Sequence, residues 1–230
     1  LLWQKTFGGS FRDVGNDIAM TLDGGFVVAG QTGSSDGDVG GSRNSLDYWV
    51  IRMDGNGNKV WSKAMGSTTE DAATAITTAS DGTITIAGYA SSNDGDVTGG
   101  TLTLDNFWIV KVDGVGTMIW QKTFGGSGLD RPTDIITAAD GSYLVLGQTT
   151  SNDGNVKGNH GQLDAWLIDI VGSTGTLIWQ QTFGGTANDV FYNFSITSDN
   201  GLAMAGTTLS NDGDVTGNHG DMDMWVLKVH

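Results

Sequence analysis

The chain has no cysteine, one proline and one glutamate (Glu70), and its 11 lysines and arginines are outnumbered by 26 acidic residues. Without cysteine there is no disulfide framework, no thiolate nucleophile and no Cys-ligated metal. That absence suits exported and cytosolic proteins alike. The net charge of −15 repels a phosphate backbone, which argues against a nucleic-acid partner. Cations are the natural small partners of such a surface, and solubility through self-repulsion is the plainer reading. No apolar run reaches membrane-spanning length, so no membrane insertion is expected. No leader peptide is visible. The chain opens inside a repeat strand and stops at Val229-His230, so it reads as a cut domain and the missing leader is uninformative. A nucleophile elbow, a His-Glu-x-x-His helix and a phosphate loop are also lacking.

A repeat is present instead. Leu1-Leu2-Trp3-Gln4-Lys5-Thr6-Phe7-Gly8-Gly9-Ser10 returns as Met118–Ser127, as Leu177–Thr186 and, more loosely, as Lys59–Ser67. The four tryptophans fall at 3, 61, 120 and 179. A fixed period of this size over 230 residues defines a single repeat domain. Its units are about 8–65, 66–124, 125–183, and 184–230 joined by 1–7.

Within each unit an apolar strand centred on Ile18, Ile76, Ile135 or Phe194 precedes an Asp-Gly turn: Asp23-Gly24, Asp81-Gly82, Asp140-Gly141, and Asp199-Asn200-Gly201. Asp-Gly between two β-rich runs signals a hairpin. The second strand ends on a glycine in every copy (30, 88, 147, 206), which predicts a bulge or a close backbone approach. A long polar loop leads to a third strand carrying Trp49, Trp108, Trp166 or Trp225, and a Gly/Asn turn leads into the fourth. Four four-stranded meanders with apolar faces stack into an all-β propeller of four blades. Leu1–Phe7 is expected to close the ring by pairing with Met224–Val229, hiding two sheet edges. A fragment of a larger ring is the alternative. The eight tryptophans read as blade packing, with Trp61, Trp120 and Trp179 filling the space between blades.

Trp-Gln-Lys-Thr-Phe-Gly-Gly-Ser, Asp-Gly-Gly-Phe-Val-Val-Ala-Gly-Gln-Thr and Ser-Asn-Asp-Gly-Asp-Val-Thr-Gly-Asn-His-Gly together resemble the β-propeller repeats of large secreted bacterial surface proteins. The resemblance covers essentially the whole chain. It implies export, display on the cell surface, and an adhesive or carbohydrate-associated role.

Candidate ligands cluster in the loop between strands two and three: Asp36, Asp38 and Asp47; Asp94, Asp96 and Asp105; Asp153 and Asp164, with Asn155 in place of the second acid; Asp212, Asp214 and Asp223. Two carboxylates flanking a glycine, with a third acid from the next strand, could give oxygen ligands to calcium. The alternative is that they cap turns. Asp13, Asp71, Asp130 and Asp189 belong to loops on the same face and either share a ligand site or hold their own Gly-Gly turns. His160 and His219, each in Asn-His-Gly, are candidate ligand contacts but too few for zinc.

Fourfold copies give equal environments, so catalysis would fall to residues that break the repeat: Asp17, Arg43, Arg131, Asp134, Asp169, Tyr192 and His160. They form no recognisable constellation. The expected function is a non-enzymatic, extracellular binding or adhesion module, monomeric within a longer chain, with a glycan or surface protein as ligand. A structural spacer and a polysaccharide-active enzyme are the alternatives.

Overall fold

The computed structural model describes residues 1–41, 45–99 and 102–230. Among these the chain is all-β and divides into two compact units, Leu1–Thr123 and Phe124–His230. In the first unit β1 (Asp13–Met20), β2 (Phe26–Thr32), β3 (Asp47–Met53) and β4 (Lys59–Met65) form one sheet in that order. A second sheet runs β5 (Asp71–Thr78), β6 (Ile84–Ala90), β7 (Asn106–Val112) and β8 (Met118–Phe124). In the second unit β9 (Asp130–Thr137), β10 (Tyr143–Thr149), β11 (Asp164–Ile170) and β12 (Leu177–Phe183) repeat the pattern. The last sheet has three strands, β13 (Asp189–Ile196), β14 (Leu202–Thr208) and β15 (Asp223–Val229). Every sheet is an antiparallel meander, the blade type of a β-propeller.

The hairpin chemistry explains the meander. Gly24, Gly82 and Gly141 adopt φ of 79°, 81° and 84°, and in the fourth copy Asn200 takes this role at 61°. The glycine at 30, 88, 147 and 206 lies opposite a bulge in the first strand of each sheet, at Asn16, Thr74, Thr133 and Tyr192. A Cβ on Gly30 would lie 1.8 Å from the Val14 carbonyl oxygen, and on Gly206 1.9 Å from that of Val190. The glycine lets the bulged strand approach.

Burial is deepest in strands two and three. Tyr48, Ile84, Ile86, Trp108 and Val110 anchor the first unit; Leu146, Leu167, Phe191 and Met204 anchor the second. Trp49, Trp108, Trp166 and Trp225, all in third strands, are buried. The fourth-strand tryptophans, expected to fill inter-blade space, are only partly covered: Trp61 and Trp120 are half-buried and Trp179 is 39% exposed. The cause is their seat on an edge strand. Trp61 lies over Gly116 of the next blade's turn and donates Nε1–H to the Gly114 carbonyl at 3.0 Å, leaving its other flank to solvent.

The expected pairing of Leu1–Phe7 with the last third strand is not formed. Among the described residues, 1–7 carry no strand and β15 is bonded to β14 alone. Trp3 nevertheless packs edge-on against Phe26 at 6.0 Å and over Gly57, as Trp61 does over Gly116. This tryptophan docking depends on the neighbouring turn and needs no ladder.

Candidate functional site

The Gly-Gly-Ser loop before each first strand and the Asp-Gly-Asp loop after each second strand lie at the same end of the sheet. They are bound to each other by a repeated set of hydrogen bonds. Asp36 accepts from the Ser10 N–H (2.8 Å) and from the Ser10 hydroxyl. Asp94 accepts from Thr68 N–H (2.7 Å) and hydroxyl (2.6 Å), and Asp212 likewise from Thr186 (2.8 and 2.8 Å). Asp153 takes the Ser127 N–H at 2.7 Å. Two of these carboxyls are held below the usual range: Asp36, where the Ser10 hydroxyl acts first, and Asp212, where the Thr186 N–H does.

Two residues on, the side chains of Asp38, Asp96, Asn155 and Asp214 accept from Gly8, Gly66, Gly125 and Gly184 N–H groups at 3.1–3.3 Å. Their own N–H groups donate back to the carbonyls of those glycines at 2.9 Å. Asn155 does this work with an amide oxygen, so the position requires an acceptor and no charge. The glycine between adopts φ of about 61–66° and a Cβ on Gly213 would lie 2.4 Å from the Gly184 oxygen. A side chain there would force the two loops apart.

The third acid of each expected triplet turns elsewhere. Asp47 lies beside Gly66, next to Asp71. Asp105 takes the Ser91 hydroxyl. Asp164 accepts from the N–H (2.7 Å) and Nδ1 (2.8 Å) of His160, and Asp223 from those of His219 (2.6 and 3.0 Å). Burial raises Asp164, opposed by the His160 N–H. Register also separates Asp105 from its supposed counterparts, because Asn106 stands opposite Ala90 where Asp47 stands opposite Thr32. Among the described residues no three His, Asp or Glu side chains gather in a geometry that could hold a metal ion.

Asp13, Asp130 and Asp189 each grip their own turn. Each accepts from the N–H of the second glycine (Gly9, Gly126, Gly185; 2.7–2.8 Å), from a threonine hydroxyl (Thr32, Thr149, Thr208) and from a serine hydroxyl (Ser34, Ser151, Ser210; 2.7–2.9 Å). Asp71 departs from this set. Ser67 supplies both its N–H (2.6 Å) and its hydroxyl (2.8 Å), Ala90 replaces the threonine, and Oδ1 is left buried with no hydrogen-bond partner. Burial raises its carboxyl to about 7. Asp130 is raised by burial too, with the Thr149 hydroxyl opposing. The threonines and serines are the functional residues that motif reading missed. Their signal was a hydroxyl at fixed spacing from every repeated aspartate.

Of the residues that break the repeat, Asp17 receives Ile18 N–H and, from the next blade, Ile76 N–H, each at 2.8 Å. Asp134 receives Ile135 N–H (2.8 Å) and Phe194 N–H (3.2 Å) in the same way. Both stitch first strands together. Tyr192 is exposed, with its hydroxyl 3.3 Å from that of Thr207. His160 Nε2 lies 4.0 Å from Asp214 Oδ2. Arg131 lies in β9 opposite Gln148. Arg43 lies outside the described residues. Asp169 sits in a cleft of the second unit.

If the Asp-Gly-Asp loops act as latches, Asp214→Asn should leave thermal stability nearly unchanged, because Asn155 already serves in that place. Asp214→Ala removes the acceptor and should cost about 0.5–1.5 kcal/mol, the value of one ordinary hydrogen bond. Melting curves of the two variants check this. Equal losses would mean that charge, not hydrogen bonding, matters there.

Comparison with known proteins adds a little. No family model matches the chain. "Regulatory protein FlaEY" of Caulobacter vibrioides is 27% identical over 159 residues, 64% of this chain. The chain spans 16% of that protein's length. BamB from Moraxella catarrhalis is 14% identical, with 84% of this chain and 82% of that one covered, at a TM-score of 0.25. Among the described residues no helix is long and apolar enough to cross a membrane.

Proposed function

We propose that the chain is a non-enzymatic binding module that contacts a partner protein through the loop end of its blades. One observation carries this reading. The repeated acids and hydroxyls hold the loops, and the loops of each unit also expose apolar side chains beside their polar ones. Phe11 is 73% exposed, where the other copies have Thr69, Gly128 and Ala187. Leu104 and Met222 are exposed on the loops that precede third strands. Varied loop residues on a rigid β scaffold are the usual way such folds bind. The match to a regulatory protein supports a regulatory role over one in adhesion.

On this proposal the Asp-Gly-Asp loops are latches, and millimolar calcium should leave the melting temperature where a chelator leaves it. Export and surface display, implied by the resemblance to secreted propellers, belong to the same proposal and are tested by labelling intact cells of the natural host. A photoreactive residue at Phe11 or Met222 should yield one discrete protein adduct in that host, and at Val60 or Ile119 none. Adducts from none of these positions would favour the spacer, and binding on a glycan array would favour a carbohydrate ligand.

A further inference from the structure

In the three complete sheets one repeated set of bonds ties the fourth strand to the third. The indole N–H of Trp49 donates to the Ser62 hydroxyl at 2.9 Å, and those of Trp108 and Trp166 donate to Oε1 of Gln121 and Gln180, each at 2.8 Å. The same glutamines reach the loop before the third strand. Gln121 Nε2 donates to the Thr98 carbonyl at 2.8 Å, and Gln180 Nε2 to the Lys157 carbonyl at 3.3 Å. Two residues on, the hydroxyls of Thr123 and Thr182 donate to the Gly99 and Lys157 carbonyls at 2.6 and 3.2 Å.

The last sheet has the same seat and no strand in it. Among the described residues β15 is bonded to β14 alone, and the Trp225 indole N–H has no acceptor. Beside it lies a cleft of about 250 Å³, lined by Thr208, Thr216, Gly217, Met224 and Trp225 among others. Thr216 and Gly217 stand where Thr98 and Gly99 stand in the second blade. One face of the sheet is bare as well. Met224 and Val226 are 82% and 63% exposed. Their counterparts Tyr48 and Val50 are buried in one cluster with Ile76 of the following sheet, and Ala165 and Leu167 in one with Phe194. Ile18 holds the position of Ile76 and Phe194 in β1, and it is 57% exposed.

We propose that Leu1–Phe7 of a second copy adds to β15 as its fourth strand, with Gln4 Oε1 taking the Trp225 indole N–H and Ile18 of that copy covering Met224 and Val226. The segment has the chemistry of the seat, because Trp3, Gln4, Thr6 and Phe7 match Trp179, Gln180, Thr182 and Phe183. In its own copy it carries no strand, and Trp3 seats it over Gly57 as Trp61 seats the fourth strand over Gly116. In the third sheet Trp166 stands opposite Thr182 and Asp169 opposite Trp179. The same register sets Thr6 against Trp225 and Trp3 against Lys228. Strand addition satisfies the backbone groups of an open edge, and the side-chain seats fix which strand is taken. Each copy offers one strand and one edge, so two copies satisfy each other and association stops at a dimer.

The test is sedimentation velocity of the intact chain over about a hundred-fold range of concentration, where a dimer gives way to monomer on dilution. The blocked peptide Leu-Leu-Trp-Gln-Lys-Thr-Phe should dissociate the dimer. The same peptide with prolines in place of the lysine and the threonine should not, because adjacent N–H groups point to opposite edges and one of the two is needed for the ladder. Q4A should weaken the dimer about ten-fold through the bonds lost to Trp225 and to the Thr216 loop. W225F keeps a ring stacked on Phe191 and loses only the N–H. It should weaken the dimer about three-fold and cause no further loss in the Q4A background. Circular dichroism checks that both variants fold. A chain that stays monomeric overturns the proposal: if it binds the peptide, the edge belongs to a strand of another protein, and if it refuses the peptide, the edge is taken by its own Leu1–Phe7. A dimer indifferent to the peptide and to Q4A overturns it too.

Discussion

Replacing Trp108 by Ala should cost about 3–5 kcal/mol, the usual penalty for deleting a large buried aromatic. That is a large part of the roughly 5–15 kcal/mol that stabilises a typical domain. The side chain is fully buried, and Tyr48 packs on it with ring centroids 4.4 Å apart. The Tyr48 hydroxyl donates to the Trp108 carbonyl at 2.7 Å across |i−j| of 60 residues. The indole N–H is satisfied by Gln121 Oε1 at 2.8 Å. Truncation would open a cavity between two blades and strip Tyr48 of its neighbour. Trp179→Ala, by contrast, removes a ring that is 39% exposed and leaves no enclosed cavity, so it should cost less, about 2 kcal/mol. Urea denaturation of both variants separates the two. Comparable losses would mean that the edge-strand rings carry the core.

That contrast marks what the sequence can convey. Both tryptophan series repeat with equal fidelity, so periodicity alone could not rank them. In the first three sheets the third strand has a neighbour on each side; in the fourth, where β15 is bonded to β14 alone, Trp225 is covered by stacking on Phe191 at 4.4 Å. The fourth-strand series lies on an edge strand, where Trp61 packs over the turn at Gly116 and stays only half-buried. Strand order, hairpins and the glycine bulges were legible because each follows from local backbone chemistry: Asp-Gly at the turn, glycine where Val14 and Val190 carbonyls come close. The partners of the aspartates were not legible. Asp36 and Asp47 are 11 residues apart and suggest one ligand set. In space Asp36 faces Ser10, at |i−j| of 26, while Asp47 faces Gly66 and Asp71 of the next blade. Only non-local strand pairing decides that. Asp169 was visible as a broken repeat, but only the register aligns it with Arg52 and Lys228.

The stability of the first unit should fall as pH rises from about 4 to 7, and Asp71 should be a principal cause. Its carboxyl is raised from 3.8 to about 7, by burial first, with the Ser67 N–H and hydroxyl opposing and the charge of Asp47 adding to the rise. Folding therefore raises this group's proton affinity. Below pH 4 the carboxyl is protonated in both states and contributes nothing. Between pH 4 and 7 the folded chain holds a proton that the unfolded chain has lost, so stability declines, and above pH 7 the penalty is constant. A tenfold change in proton affinity corresponds to about 1.4 kcal/mol, which makes the full penalty on the order of 2–4 kcal/mol after allowance for residual solvation. Asp71→Asn keeps an oxygen for the Ser67 N–H and cannot ionise, so the variant should gain on the native chain steadily from pH 4 to 7 in denaturant titrations. Ala90→Thr offers a second route, because Thr32, Thr149 and Thr208 give Asp13, Asp130 and Asp189 the hydroxyl that Asp71 Oδ1 lacks. That variant should stabilise the chain at pH 8 and leave it unchanged at pH 4. Parallel pH profiles for the native chain and Asp71→Asn would show that Asp71 ionises freely in the folded state, and would remove the reason to expect any gain from the restored threonine.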